Sequence, residues 1–194
     1  MITIIDVSGT NLSSLGNTLN RLGFDYIFSH KAEEIQKASH VILPGVGSAA
    51  FGMHALEQAG LLPVLAQLKQ PVLGICLGMQ LLFEFSDEGQ VPCLGLIPGR
   101  VEKLSPKHYP VPHMGWNQLH WLEQSTLRQG LSTTDYVYFT HSYAVKNTPA
   151  CLAECEYGET FAAIVQQDNL FGMQFHPEKS SEVGMMLFKN FCLQ

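Results

Sequence analysis

Gly74-Ile75-Cys76-Leu77-Gly78-Met79-Gln80 stands between two runs of different character. Upstream, Gln70-Pro71-Val72-Leu73 is apolar and punctuated by proline, the pattern of a buried strand. Downstream, Leu81-Leu82-Phe83 continues at helical spacing. A cysteine occupies the corner, with a glycine two residues to either side. Small neighbours let the chain turn so sharply that the side chain stands clear of the sheet, which is the geometry of a nucleophile elbow. The helix that begins there aims backbone N–H groups and a positive dipole end at the sulfur, an arrangement that favours anions. A buried, inert cysteine is the commonest fate of a thiol in an apolar run, but the flanking glycines favour a nucleophile.

Toward the N-terminus from this elbow, strands and helices alternate. Ile2 to Val7 is a β-branched run that reads as a strand covered on both faces. Ser8-Gly9-Thr10-Asn11 turns into a helix patterned by Leu12, Leu15, Leu19 and Leu22 and closed by Gly23. Asp25 to Phe28 is a second strand, Ala32 to Lys37 a short polar helix, and His40 to Leu43 a third strand ending in Pro44-Gly45-Val46-Gly47. Ser48 to Ala59 and Pro63 to Leu68 read as helices, and the fourth strand leads into Cys76. This alternation implies a parallel sheet with right-handed crossovers. Ligands of such sheets gather at the carboxyl ends of strands, where Cys76 and the Pro44 to Gly47 loop both lie.

Beyond Glu88-Gly89 the texture changes to short strand-like segments separated by Pro and Gly turns. They fall at Arg100 to Leu104, Asn117 to Trp121, Val137 to Phe139, Cys151 to Tyr157, Phe161 to Gln166 and Leu170 to Phe175. Ser181 to Leu193 makes a last helix. The reading is one α/β domain over residues 1–194, its second half adding antiparallel strands. With 46% of 194 residues hydrophobic, the chain can bury a sizeable core. A net charge of −6 without a basic block argues against nucleic acid and anionic membrane as partners. Pro71 to Phe83, the longest apolar stretch, is too short to span a bilayer. The start of the chain lacks the basic region and cleavage site of a signal peptide. Five cysteines without framework spacing suit a reducing compartment, the cytoplasm.

A thiolate nucleophile needs a base, and of eight histidines His176 is best placed. It follows the strand ending at Phe175, and Pro177 holds the chain extended before Glu178. Residues i and i+2 of an extended segment project to one side, so Glu178 can brace the His176 ring and complete a Cys-His-Glu relay. The oxyanion hole would take one N–H from the Pro44 to Gly47 loop, at Gly47, and another from Leu77, the residue after the nucleophile. His141, in Tyr138-Phe139-Thr140-His141-Ser142-Tyr143, has no carboxylate two residues on and reads as a pocket wall. Pro112-His113-Met114-Gly115-Trp116-Asn117 reads as a Pro/Gly-rich loop, either a rigid turn or a partner contact. Cys151 and Cys155 lack a second Cys/His pair at ligand spacing, so no metal is expected.

Over essentially its whole length the sequence resembles the class I (triad) glutamine amidotransferases. Gly74 to Gln80 matches their nucleophile motif, and Gly172-Met173-Gln174-Phe175-His176-Pro177-Glu178 their His/Glu motif. The resemblance implies a flavodoxin-like fold: a mainly parallel central sheet, helices on both faces, and added antiparallel strands. Pro44 to Gly47, Met79-Gln80, Pro112 to Asn117 and Tyr138 to Tyr143 narrow it to the branch that serves histidine biosynthesis. The alternative is the glutaminase component of another synthase, such as anthranilate synthase, but sister glutaminases more often carry histidine where Met79 stands. Cys-dependent peptidases of the same broad fold place histidine after the nucleophile, where this chain has Leu77. A degenerate, docking-only relative would not keep Cys76, His176 and Glu178. Val7-Ser8-Gly9-Thr10 departs from the Tyr-Gly-Met/Ala-Gly turn of many members.

The resemblance further implies that Cys76 attacks the side-chain amide of glutamine, His176 protonates the departing ammonia, and a γ-glutamyl thioester is hydrolysed to glutamate. Gln80 and Glu88 would hold the glutamine head group, with Ser142 and Tyr143 lining the same pocket. The implied partner is a (β/α)₈-barrel synthase (cyclase) subunit, joined as a heterodimer and supplied with ammonia. No cofactor is called for.

Overall fold

Runs of β-branched and apolar residues bounded by glycine, proline and polar turns become the strands of the computed structural model, which describes residues 1–7, 12–45, 47–105, 109–132 and 134–194. The turn expected at Ser8 to Asn11, and Val46, lie outside the described residues. The first half runs β1 (Ile2–Ile5), α1 (Ser13–Leu22), β2 (Tyr26–Ser29), α2 (Ala32–Gln36), β3 (His40–Leu43), α3 (Ala49–Gln58), α4 (Leu62–Leu65), β4 (Val72–Ile75) and α5 (Leu77–Leu81). The second runs β5 (Phe85–Ser86), β6 (Val91–Pro92), β7 (Arg100–Lys103), β8 (His113–Gln118), β9 (His120–Trp121), β10 (Tyr136–His141), β11 (Tyr143–Val145), β12 (Cys151–Glu156), β13 (Thr160–Gln167), β14 (Leu170–Met173) and α6 (Ser181–Cys192). Gly23 ends α1 with φ 78°, the left-handed cap that a Cβ would disfavour.

The main sheet has the order β2-β1-β3-β4-β14-β13-β12-β9. Its first five strands pair in parallel, and β13, β12 and β9 extend it by antiparallel pairing. Alternate side chains of the parallel strands feed two cores. Ile42, Leu73 and Ile75 pack with Leu15 and Leu19 of α1 and Phe188 and Phe191 of α6. Val41, Leu43 and Val72 pack with Ile35 of α2, Leu56 of α3 and Leu77 and Leu81 of α5. Each such fully buried aliphatic side chain contributes about 1.5–3 kcal/mol. A four-stranded sheet, β11-β7-β5-β6, and a two-stranded ribbon, β10-β8, complete the second half.

Two readings of the sequence are corrected. Pro112 to Asn117 is not a loop: from His113 onward it is β8, paired antiparallel to β10 with Tyr138 opposite Trp116. Pro177–Lys179 is a 3-10 turn and not an extended segment, so Glu178 reaches His176 by wrapping around it. The consequence for the site is large. Strands β3, β4 and β14 are neighbours running in the same direction, so the Pro44 segment, Cys76 and His176 all follow carboxyl ends on one edge of the sheet.

Candidate active site

Cys76 adopts φ 52° and ψ −111°, a conformation that L side chains rarely take and one that over-determined surroundings must hold. Its N–H donates to the Met173 carbonyl at 2.8 Å, tying the corner to the end of β14. The glycines answer for the rest. A Cβ on Gly74 would come within 2.6 Å of the Gly78 carbonyl oxygen and the Met79 backbone, and one on Gly78 would overlap the Leu43 carbonyl oxygen. Gly45 is pressed against Leu77 and Gly78 in the same way, so the segment after β3 lies directly on the elbow. Leu77 opens α5, and the N–H of a first helical residue has no partner within its helix. Gly47 is exposed and takes φ 79° beside the Phe51 ring.

His176 and Glu178 meet as the sequence suggests. Nδ1 of His176 stands 2.8 Å from Glu178 Oε1, with the two side chains 15% and 6% exposed. Burial by itself would lower the His176 pKa. Hydrogen bonding to Cys76 and Glu178, together with their charges, outweighs that and raises it to about 9. The ring is therefore a cation at neutral pH, paired with sulfur on one side and carboxylate on the other. Glu178 Oε2 is buried and finds no hydrogen-bond partner among the described residues. A cavity of about 130 Å³ opens beside His176, Glu178, Lys179 and the Pro44–Gly45 segment.

The backbone around His176 is fastened from β10. The His176 N–H donates to the Tyr138 carbonyl at 3.0 Å, and the Tyr138 N–H donates to Ser180 Oγ at 2.9 Å. Ser180, fully buried, closes the ring by donating to the His176 carbonyl at 2.7 Å.

The remaining expected residues take definite places. Gln80 is 4% exposed, and its Nε2 donates to the Tyr143 carbonyl at 2.8 Å and to Gln174 Oε1 at 2.9 Å. Both amide hydrogens are thus spent inside the protein, leaving only Oε1 for a ligand. Glu88 Oε2 accepts the Ala49 N–H at 2.8 Å, capping α3 at the end of the Gly47 loop with a carboxylate where the helix dipole favours one. Ser142 forms the bend between β10 and β11, Tyr143 opens β11, and the Ser142 carbonyl accepts the Leu104 N–H. Sequence reasoning missed Gln174, whose Nε2 lies 3.8 Å from Cys76 Sγ, and His113, whose Nδ1 lies 3.0 Å from Nε2 of His141. Gln174 stands two residues before His176 in the motif already singled out, a signal that position alone could have raised. Among the described residues no group of three or more His, Cys, Asp or Glu is placed to hold a metal ion. No helix of the described residues is long and apolar enough to cross a membrane.

A cysteine on a strained strand-to-helix corner, facing a carboxylate-braced histidine at the carboxyl edge of a parallel sheet, is a constellation for acyl transfer through a thioester. The family described as glutamine amidotransferase class-I matches residues 3–194, and the chain belongs to it. Imidazole glycerol phosphate synthase subunit HisH 2 of Legionella pneumophila (strain Paris) is 62% identical over 192 residues, covering 98% of this chain and 96% of that one. The HisH subunits of Xylella fastidiosa (strain Temecula1) and Pasteurella multocida (strain Pm70) are 49% and 44% identical, each over 98% of this chain and 96% of theirs. Within the class it stands with these HisH subunits of imidazole glycerol phosphate synthase. The fold is also that of a crystal structure described as a glutamine amidotransferase, with a TM-score of 0.76 at 18% identity. The match covers 99% of this chain and 97% of the other.

Proposed function

We propose that the chain is the glutaminase subunit of imidazole glycerol phosphate synthase in histidine biosynthesis, and that Cys76, His176 and Glu178 are its catalytic triad. The observation that carries the assignment is the Cys76 elbow beside a His176 ring held through Nδ1 by Glu178 at 2.8 Å. Cys76 sulfur adds to the side-chain amide carbon of glutamine, and the carbonyl electrons move onto oxygen. The Leu77 N–H and the backbone at Gly47 receive that oxyanion. Collapse expels ammonia, protonated by His176, and leaves a γ-glutamyl thioester. Water, deprotonated by the now neutral imidazole, attacks the thioester and releases glutamate and the sulfur. Glu88, through Oε1, and Gln80, through Oε1, contribute to the glutamine pocket with Ser142 and Tyr143.

The ammonia goes to a synthase subunit of (β/α)₈-barrel form that makes imidazole glycerol phosphate and an aminoimidazole carboxamide ribonucleotide. The ribbon β8–β10 supports such a partner. Met114, Trp116 and Tyr136 are exposed on it, and the Trp116 and Tyr138 rings touch edge to face at 6.0 Å. An aromatic face of this kind, placed one hydrogen bond from His176, suits a protein contact and not solvent. Trp121 does not belong to it: it lies in β9, half-buried against the core. The test is Cys76→Ala in the complex with the synthase subunit. Loss of glutamine-dependent synthesis with ammonia-dependent synthesis retained is expected. Glutamine turnover at the unsubstituted rate would overturn the assignment.

A further inference from the structure

A run of buried hydrogen bonds ends on the nucleophile, and its polarity is fixed by a single backbone carbonyl. The Tyr143 carbonyl oxygen can only accept. The Gln80 side-chain atom 2.8 Å from it is therefore the nitrogen, and the alternative amide orientation would set oxygen against oxygen. That nitrogen gives its second hydrogen across 2.9 Å to Gln174, which must present Oε1 to receive it. The Gln174 nitrogen is then the end that faces Cys76 Sγ, at 3.8 Å. No freedom remains in either amide.

The same carbonyl is held from the other side. His141 Nδ1 lies 2.8 Å from the Tyr143 oxygen and so carries the proton. His141 and His113 are 6% and 2% exposed, and burial holds both imidazoles neutral, at about 3 and about 4. His141 Nε2 is then bare and accepts from His113 Nδ1 at 3.0 Å. His113 Nε2, bare in turn, faces the Asn117 amide nitrogen at 3.5 Å, and that nitrogen also donates to the Glu156 carbonyl at 2.9 Å. Every donor points one way, from Asn117 to Tyr143.

At the sulfur the Gln174 donor meets an acceptor. The Thr140 carbonyl oxygen lies 3.8 Å from Sγ, suited to receive a thiol S–H and repulsive toward a thiolate. Ionised sulfur needs a donor to replace that lost bond, and the Gln174 N–H is aimed at it.

We propose that Gln174 is a further catalytic residue, donating a hydrogen bond to the Cys76 thiolate, and that His141, backed by His113, is a positioning residue that fixes this donor through Tyr143 and Gln80. The proposal rests on the glutaminase reading above, deepens it, and concerns how the sulfur is stabilised when it acts as a thiolate. Hydrogen bonds to charged groups are worth about twice those between neutral ones.

The experiment is the pH profile of Cys76 alkylation by iodoacetamide, read by mass spectrometry at that cysteine in the full chain. It is paired with kcat and KM for glutamine in the synthase complex. Gln174→Glu keeps the acceptor that Gln80 requires, removes the donor to sulfur and adds a negative charge beside it, while Gln174→Met removes the donor without adding charge. Both should move the alkylation profile to higher pH, by about one unit for loss of one charged hydrogen bond, and lower kcat about tenfold or more with KM little changed. His141→Phe should move the profile in the same direction, and His141→Gln, which can donate to Tyr143 and accept from His113, should restore it. Gln80→Met tests the same link should His141→Phe fail to fold. A shift confined to Gln174→Glu would be charge repulsion alone and would overturn the proposal, as would unshifted profiles in His141→Phe or Gln80→Met. Alkylation needs no glutamine, so these outcomes stand apart from the fate of the triad, which Cys76→Ala decides.

Discussion

The α-carbon of Gly78 is seated against the carbonyl oxygen of Leu43, so close that a Cβ would overlap it. The contact locks the end of β3 to the first turn of α5 and leaves the elbow one shape. Gly78→Ala is expected to destabilise the chain by about 1–3 kcal/mol or more, the cost of overpacking a rigid contact, and to remove glutamine hydrolysis. Gly60→Ala is the control. Its φ of 68° penalises a side chain, but nothing lies within 4 Å, so the cost is only about 1–2 kcal/mol and activity stays. Urea denaturation of both variants measures the difference, and equal losses would mean that the elbow tolerates a methyl group.

Within the proposed triad the two partners of Cys76 have unequal work. In that reading the His176 imidazole moves the proton, whereas Glu178 holds the ring from Nδ1 at 2.8 Å. His176→Ala is expected to lower kcat by the full general acid–base factor, about 10²–10⁴. Glu178→Gln keeps a neutral acceptor at Nδ1 and should cost less. Steady-state kinetics in variants of native circular dichroism decide it. A larger loss in Glu178→Gln would take the proton transfer away from His176.

The parallel half was legible because its inner strands are buried on both faces, and Val41 to Leu43, following His40, reads as an apolar run within a strand that the structure matches end to end. The elbow was legible because sterics demand glycine at residues 74 and 78. Strand β8 was not, and its side chains give the reason. His113 points inward at 2% exposure while Met114 and Trp116 point outward at 62% and 53%. The usual alternation is inverted, with polar groups inside and apolar ones outside, so a search for a hydrophobic inner face finds a loop. β5 and β6 are two residues each, too short to carry any period. Gln174 escaped because an amide has no titration or charge to mark it, and only its direction in space gives it a role.

The histidine pair predicts an acid limit to stability. His113 and His141 stay neutral in the folded chain to about 4 and about 3, whereas unfolded imidazoles protonate near 6.5. Below that value the unfolded state binds protons that the folded state refuses, so stability falls as pH falls, by up to about 1.4 kcal/mol per pH unit for each ring. His176 works in the opposite sense. Its raised pKa of about 9 gives a contribution that is complete below 6.5 and is lost as pH rises through 9. Thermal unfolding from pH 4 to 10 should show a maximum near neutrality, and His141→Gln should flatten the acid limb alone. An acid limb unchanged in His141→Gln would assign it to other groups.

The isolated chain is expected to be a poor glutaminase that its synthase partner switches on. Within the proposed oxyanion segment the two glycines are placed differently. Gly45 is wedged against Leu77 and Gly78, while Gly47 is exposed with φ 79°, a residue free of the Cβ that would hold its peptide in one orientation. The proposed docking face is coupled to the same site. Tyr138 sits in it as a side chain, and its backbone carbonyl receives the His176 N–H at 3.0 Å while Ser180 locks the turn beyond. A partner seated on Trp116 and Tyr138 can therefore bias the backbone next to the nucleophile, provided that it binds the two arrangements with different affinity. One oxyanion donor gained is worth about 10²–10³ in turnover, which sets the size of the activation. Glutamine hydrolysis is measured with the chain alone, then with its synthase partner at saturation together with that partner's ligand. Trp116→Ala should weaken activation at subsaturating partner and leave the basal rate unchanged. Comparable turnover with and without the partner would sink the switch while leaving the triad untouched.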